Sequence, residues 1–337
     1  MKRTSTKPAE PSCSKSSATQ RTAVVVATNR QCCPLRRCLE SLRSLLADPA
    51  SLIFVDNGSE EQLCSWASLE FPDISVLRLP KNLFFTGGYN AGIRVAIDRG
   101  YDFVLIVNAD TEVVDSGFVA KLLDAAERWP RAAFIGPLVY YRSTSVYQTT
   151  CLQFPSILRS LLIWLPWRLA HRHLPRQSRA ERQVQMLNGV CVLCRISALR
   201  DIGLMDETFG GYVEDADWSF RALRKGWVSV FTPVPSVTHY EEKIGYEPYS
   251  LKTFMLKRNT VLWFLKTGHR RSARMYALAS ILLARARMMS GRSEAERKNH
   301  KQFCMLLERV YRGLLHGDVP REWFGPPVAP WVGPHSA

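Results

Sequence analysis

The order of apolar and polar positions organises the chain before any single residue is weighed. Ala23–Thr28 (AVVVAT) is a short β-branched run between polar neighbours, the pattern of a buried strand. Leu35, Leu39, Leu42, Leu45 and Leu46 follow at helical spacing. Leu52–Val55 is apolar again and runs into the polar turn Asp56-Asn57-Gly58-Ser59. A helix over about 60–69 and a strand at Ile74–Leu77 come next, then a helix over Gly88–Asp98 and a strand at Phe103–Val107 closed by Asn108-Ala109-Asp110-Thr111. Strands and helices alternate, and polar residues collect just after the strand ends. That alternation predicts a mostly parallel sheet covered by helices on both faces. In such sheets ligands bind beyond the carboxyl ends of the strands, so Asp56 and Asp110 are the first candidate functional residues.

Past Thr111 the pattern is less regular. Val146–Phe154 and Val184–Cys194 read as extended, and a Trp-, Pro- and Arg-rich insert, Leu158–Arg182, lies between them. Ser197–Ile202 reads as a short helix, and Asp215–Lys225 as a helix whose start carries Glu214, Asp215 and Asp217, acids that suit the helix dipole. Trp227–Phe231 and Val234–His239 read as short strands, and Arg-rich helical segments dominate from Tyr249 onward. There is no internal repeat.

Composition changes this picture in one respect. Hydrophobic residues at 46% and charged residues at 22% are ordinary for a globular protein and exclude wholesale disorder. The net charge of +15 points to an anionic partner. Between Leu251 and Arg312 there are fifteen Lys and Arg against three acids, so the excess lies away from the strand-end acids. No nucleic-acid motif is present, which ranks that partner low. The insert, with Trp164, Trp167, Arg168, Arg172, Arg176, Arg179 and Arg182, has the makings of an anionic membrane interface. Met275–Met289, apolar with Arg285 and Arg287, reads either as a helix on lipid or as a packed helix with a solvated face.

Nine irregularly spaced cysteines form no disulfide framework and fit a reduced compartment. Cys191 and Cys194 make a lone C-x-x-C, short of the four ligands of a structural zinc. The first 22 residues are polar and basic without the apolar core of a signal peptide, and read as a disordered tail. No apolar run reaches the roughly 18 residues of a membrane span. The expected location is the cytoplasm, with peripheral attachment to the inner face of the plasma membrane as an option.

Several ordered motifs are more specific than any of these features alone. They are VVVATNR at Val24, FVDNGS at Phe54, NLFFTGGYNAGI at Asn82 and GYDFVLIVNADTEV at Gly100 in the first half. LNGVCVLCRISALRDIGLMDETFGGYVEDADWSFRALRKGW at Leu187, PSVTHYEEKIG at Pro235 and YSLKTFMLKRNTVLWFLK at Tyr249 follow. Together, over roughly 22–266, they resemble the family-2 glycosyltransferases of the GT-A fold, especially the branch with bacterial rhamnosyltransferases. The resemblance implies a Rossmann-like nucleotide-diphospho-sugar transferase: a mixed, mostly parallel α/β sheet with flanking helices and a basic helical C-terminal extension. It divides the chain into a tail (1–22), a catalytic domain (23–248), the extension (249–316) and a Pro-rich tail (317–337). Within the catalytic domain it implies a donor half (23–112), an acceptor half (113–248) and a basic insert (155–183).

The resemblance also implies roles. Asp56 matches the aspartate that hydrogen-bonds the donor's base or ribose, against the plain reading of a turn cap. Asn29, Asn57, Gly87, Gly88, Asn90, Asn188 and Gly189 would line the donor site, the glycines allowing close backbone approach at a helix N-terminus. Asn108-Ala109-Asp110 matches the metal motif, with Asn108 where many relatives carry Asp. Asp110 and His239 would hold Mg²⁺ or Mn²⁺ against the diphosphate, oxygen ligands suiting hard cations. Phe84 and Tyr89 stand where relatives often have Gly and Asn. Asp215 matches the general base of an inverting transfer and Glu214 its orienting partner, the plain alternative being two helix-capping acids. Trp218 would stack on an acceptor sugar or pack in the core, and Arg221 would meet the diphosphate or pair with a helix acid.

The leading expectation is therefore transfer of a sugar, dTDP-L-rhamnose being the best single donor, to a lipid-linked or cell-envelope acceptor. The alternatives are a UDP- or GDP-sugar donor, or a module that binds sugar nucleotide or membrane without turnover.

Overall fold

The computed structural model describes residues 21–30, 34–60, 63–141, 150–162, 180–240, 251–289 and 294–317. Expectations for the N-terminal tail, for Val146–Thr149, for Trp164 to Arg179 of the insert and for the Pro-rich tail lie outside the described residues. So does the side chain of Arg287.

The strands are β1 (Thr22–Thr28), β2 (Leu52–Asp56), β3 (Ser75–Arg78), β4 (Phe103–Val107), β5 (Thr111–Val113), β6 (Ala132–Tyr141), β7 (Cys151–Leu152), β8 (Arg182–Val184), β9 (Met186–Leu187), β10 (Cys191–Arg195) and β11 (Val228–His239). The helices are α1 (Leu35–Ser44), α2 (Leu63–Glu70), α3 (Phe84–Asp98), α4 (Phe118–Arg128), α5 (Ile157–Leu162), α6 (Ile196–Ile202), α7 (Glu214–Arg224), α8 (Leu251–Lys266), α9 (Arg270–Met289) and α10 (Glu294–His316). A nine-stranded sheet runs β3-β2-β1-β4-β10-β6-β11-β5, with β8 also on β11. Strands β1 to β4, β6 and β11 point the same way, while β10, β5 and β8 oppose them.

Hydrophobic runs explain the middle of this sheet. Every residue of β2 and β4 is buried, because helices cover both faces and leave no solvent side for alternation. One apolar cluster joins α1, α2 and α4 to one face, and another joins α3, α6 and α7 to the other. Glycine sets the tightest approach: a Cβ on Gly92 would lie 2.4 Å from Val25 Cγ1, so α3 rests directly on β1.

The chain turns from β1 outward to β2 and β3, then returns to place β4 on the other side of β1. That reversal is the switch point at which doubly wound sheets open a ligand crevice. The strand directions bring the ends of β1, β2, β4 and β11 and the start of β10 to one edge. Thr28, Asp56, Asn108, Asn188 and His239 all follow from that placement.

Several boundaries differ from the sequence reading. Helix α3 starts at Phe84 rather than Gly88. Helix α4 and strand β6 were not anticipated. The stretch read as two strands after Trp227 is one strand, β11, whose register slips around Pro235; proline has no N–H for the ladder. The extended stretch over Val184–Cys194 breaks into β8, β9 and β10. The basic extension forms α8, α9 and α10, and these share a third apolar cluster with Phe209, Val213 and Ala216. It is thus packed against the segment that leads into α7.

Candidate active site

The sheet edge carries two groups of functional side chains. The first is built by the pairing of β5 with β11, which sets Thr111 beside His239. Asp110, one residue earlier, therefore meets the imidazole: His239 Nε2 lies 3.1 Å from Asp110 Oδ1. His239 is 2% exposed and the Asp110 side chain 36%, so the carboxylate faces solvent over a buried ring. Burial alone would raise the Asp110 carboxyl. The His239 hydrogen bond and charge, a backbone amide and the Arg30 charge outweigh it and hold it below the usual value. Asn108 is half-buried, with Tyr89 Oη 3.5 Å from its Oδ1 and its backbone N–H donating to Val190 O at 2.8 Å.

The second group opens α7. Glu214 is 7% exposed, and its Oε2 has no hydrogen-bond partner among the described residues. Asp215 is half-buried and accepts at Oδ1 from the Ala216 amide, 2.8 Å away. Burial and the neighbouring Asp215 charge push the Glu214 carboxyl well above its ordinary value, and burial raises Asp215 to about 6. Both acids border a small pocket walled chiefly by Phe85, Ile106, Phe134, Val192 and Met205. The two groups meet through Asn188–Val190. A Cβ on Gly189 would lie 4.0 Å from Glu214 Oε1, and Val190 is hydrogen-bonded to Asn108.

The turn before α7 is unusual. Tyr212 and Val213 both have left-handed backbones, at φ 65° and 70°. For a β-branched valine this is a true outlier, and such residues cost about 1–3 kcal/mol each. Side chains from α3, α7 and α8 hold the carbonyls of the segment 202–212.

Several of the expected site residues make defined contacts within the protein. Asn90 is 1% exposed and spends its amide on the loop: Nδ2 donates to Met205 O and Glu207 Oε1, both at 2.9 Å, and Oδ1 accepts from Met205 N at 3.1 Å. It ties α3 to that loop. Trp218 is a core residue, packed on Phe134 at 4.6 Å with Nε1 donating to Gly203 O. It also lines the small pocket that the acid pair borders. Arg221 pairs with Asp217 at 2.8 Å, the helix-acid alternative, and donates to Ile202 O and Leu204 O at 2.6 and 2.8 Å.

Asp56 has no exposed surface, and its oxygens accept from the Ser59 and Cys64 amides at 2.9 and 3.0 Å. These are the contacts of a turn cap. Asn57 clamps the next loop, accepting from Leu83 N and donating to Phe84 O. Gly87 and Gly88 let that loop close: a Cβ would lie 2.5 Å from Leu83 Cβ at the first and 2.8 Å from Asn57 Nδ2 at the second. Asn29 stands exposed just past β1, and Asn188, half-buried, accepts from Val190 N at 3.1 Å.

Two features escaped the sequence reading. Phe84 is left-handed at φ 58°, a backbone conformation that favours glycine. Arg258 and Asn259 of α8 reach the turn before the acids. For neither was there a local signal, since their partners are backbone carbonyls far away in sequence.

As a cation site the first group is chemically suited. A carboxylate, an imidazole and an adjacent amide oxygen are ligands for Mg²⁺ or Mn²⁺, and such ions keep open positions for substrate phosphates. No cluster of three or more His, Cys, Asp or Glu occurs among the described residues, so the protein would supply only part of the shell.

Comparison with known proteins gives the following. Residues 22–203 match the family model described as Glycosyl transferase family 2. An N-acetylglucosaminyl-diphospho-decaprenol L-rhamnosyltransferase of Mycobacterium tuberculosis is 34% identical over 233 residues, 64% of this chain and 75% of the relative. The galactofuranosyltransferase GlfT1 of the same species is 26% identical over 62% of this chain and 66% of its own length. A low-salt glycan biosynthesis hexosyltransferase, Agl10 of Haloferax volcanii, is 26% identical over 56% and 58%. Among solved structures, GalNAc-T7 with UDP, GalNAc and Mn²⁺ superposes with a TM-score of 0.56 at 14% identity, covering 90% of this chain and 58% of that one. That likeness speaks to the fold alone.

Proposed function

Given that this chain belongs to glycosyl transferase family 2 and is a glycosyltransferase of the GT-A fold, we propose that it moves a deoxyhexose from a nucleotide-diphosphate donor to a lipid-linked glycan acceptor with inversion. The observation that carries this is the single sheet edge on which the Asp110–His239 pair and the Glu214–Asp215 pair flank Asn188–Val190.

The chemistry divides between the two groups. Burial raises both carboxyls, Glu214 well above its ordinary value with the Asp215 charge adding to it, and Asp215 to about 6. Asp215 takes the proton of the acceptor hydroxyl while that oxygen attacks the anomeric carbon from the face opposite the diphosphate. The new carbon–oxygen bond forms as the sugar–phosphate bond breaks, and its electron pair leaves with the nucleoside diphosphate. Glu214 orients the acceptor through a buried carboxyl that still has hydrogen-bonding capacity. Asp110, His239 and the Asn108 amide would hold a divalent cation, which when bound neutralises charge on the leaving diphosphate. Asn29, Asn188 and Gly189 line the donor approach.

The donor reading, dTDP-L-rhamnose, and the acceptor reading, a polyprenyl-diphosphate sugar, draw support from the mycobacterial rhamnosyltransferase. A UDP- or GDP-sugar is the second reading, favoured by GlfT1 and the hexosyltransferase among the relatives. No described helix is long and apolar enough to cross a membrane. Attachment to an anionic bilayer from the cytoplasmic side has support in α9. One face of it, Ala273, Tyr276, Ala277 and Ala284, is buried, while Met275, Leu278 and Leu282 are 58%, 60% and 55% exposed beside exposed Arg271 and Arg274.

The test is a donor panel with purified protein and a polyprenyl-diphosphate-GlcNAc acceptor, with Mg²⁺, Mn²⁺ or chelator. Product stereochemistry is read by NMR. Transfer with inversion from dTDP-rhamnose, abolished by chelator, is expected. Selective turnover of another sugar nucleotide would replace the donor reading, and retention of configuration would end the mechanism.

A further inference from the structure

The helical extension after the catalytic core reaches the acid pair through one residue. Asn259, fully buried in α8, donates from Nδ2 to the carbonyls of Phe209, Gly211 and Tyr212 at 2.8, 2.6 and 2.7 Å. Arg258, also fully buried, holds Asn259 Oδ1 and donates to Thr208 O at 3.0 Å. On the other side, Thr86 N donates to Gly210 O at 2.9 Å. Five carbonyls in a row, Thr208 to Tyr212, thus include four taken by α8 and one by α3. The backbone they fix includes left-handed Tyr212 and leads through left-handed Val213 straight into Glu214 and Asp215. Left to itself, a Tyr-Val pair prefers extended or right-handed backbone. Relaxation there would rotate the first turn of α7, because the Asp217 amide bonds to Val213 O. Phe209 and Val213 also share their apolar cluster with Phe254, Met255 and Val261 of α8, which keeps the clamp rigid.

We propose that Asn259, seated by Arg258, is a positioning residue for sugar transfer: it holds the left-handed turn that aims Glu214 and Asp215 into the cleft. The helical extension is then part of the catalytic apparatus. This rests on the reading of the acid pair given above, so Asp215→Asn is assayed in parallel.

The experiment compares Asn259→Ala and Asn259→Gln with the parent chain. It reads kcat, donor affinity by calorimetry, the acidic limb of the pH–kcat profile and the melting temperature. For Asn259→Ala, a loss of kcat on the order of 10²-fold is expected with donor affinity changed by less than about threefold, the signature of a misplaced catalytic group. The acidic limb moves below its starting point near pH 6, because a loosened turn lets water reach Asp215. Asn259→Gln, which keeps the donor group, recovers part of kcat and returns the limb toward its starting point.

Normal kcat in Asn259→Ala while Asp215→Asn is dead overturns the clamp but not the acid pair. Normal turnover in Asp215→Asn overturns the acid pair itself. Equal losses of kcat and donor affinity with an unmoved limb mean general support only, and also overturn the proposal. Should Asn259→Ala fail to fold, the comparison moves to a Val213→Gly background, in which a left-handed backbone carries no side-chain strain. If the double variant also fails to fold, Asn259 is holding the domain rather than aiming the acids, and the proposal falls.

Discussion

Replacing Asp215 by Asn should make the protein more stable and inactive at once. Burial lifts the carboxyl from 3.8 to about 6, so the folded chain resists ionising a group that the unfolded chain ionises freely. A shift of this size corresponds to ~3 kcal/mol at full effect. Asp215 retains some exposure, and solvent screening brings the expected gain to about 1–3 kcal/mol. The pH dependence has a definite sign. The folded pKa is raised, so the favourable state is the protonated one, fully present below 3.8 and lost as pH climbs through about 6. The parent chain therefore loses stability relative to Asp215→Asn between those limits, and the gap is constant above them. Asparagine keeps the acceptor for the Ala216 amide, so the contact at 2.8 Å survives. In urea titrations and thermal melts at pH 8, the variant should melt roughly 3–8 °C higher, the gap shrinking at pH 4.5. Transfer should fall by about 10²–10⁴, the worth of a positioned base. A variant no more stable than its parent at pH 8, or equally stabilised at both pH values, would refute the burial argument. One that kept its turnover would refute the role.

Asp110→Ala should remove the difference in donor affinity measured by calorimetry with and without Mg²⁺ or Mn²⁺; an affinity that stays metal-dependent would move the cation elsewhere. Arg221→Met should cost about 2–4 kcal/mol in urea, since it strips one ion pair and two carbonyl contacts, yet leave donor affinity unchanged. A selective loss of donor affinity there would restore Arg221 to the binding site. The pH–kcat profile of the parent chain should rise through about pH 6 as Asp215 ionises, and a profile flat from pH 5 to 8 would exclude it as the base. Changing Arg271 and Arg274 to Gln together with Leu278→Gln should lower co-sedimentation with vesicles containing phosphatidylglycerol, and unchanged binding would clear α9 of that duty.

Some of this site was legible because its logic is local. Runs such as FVLIV can only be buried on both faces, and the polar residues after them fall at the one edge where a doubly wound sheet opens. That reasoning placed Asp110 without any appeal to relatives. His239 needed the family resemblance, for nothing in PSVTH announces that a strand 129 residues away will bring its imidazole to Asp110. Glu214 and Asp215 could be seen as acids at a helix start, but burial, which raises both carboxyls, is a tertiary property. Asn90, Trp218 and Arg221 make contacts that the sequence does not announce, for a common reason. The groups that bind a sugar nucleotide, an amide, an indole and a guanidinium, are also those that satisfy orphaned backbone carbonyls, and sequence does not say which task a polar group performs. Asn259 was invisible for the converse reason. Its partners are main-chain oxygens 47–50 residues away, and a carbonyl leaves no mark in the sequence.

The distribution of hydrogen bonds then has a physical sense. A buried acid pair and two left-handed residues each raise the energy of the folded state, and they adjoin one another in the chain. Left unopposed, that segment would relax by turning the acids toward water, where their pKa values would return to normal and the base would lose its desolvated setting. The opposing force comes from outside the sheet: Asn90 from α3, Arg221 from α7, and Arg258 and Asn259 from α8 close on carbonyls between Ile202 and Tyr212. Such bonds are strong only where water is excluded, and the apolar cluster shared by α8, α9, α10 and Phe209 excludes it. On the proposed mechanism the helical extension matters to the reaction even though it contributes no group to the cleft edge, because the strain it sustains keeps a buried carboxylate pointed at an incoming hydroxyl.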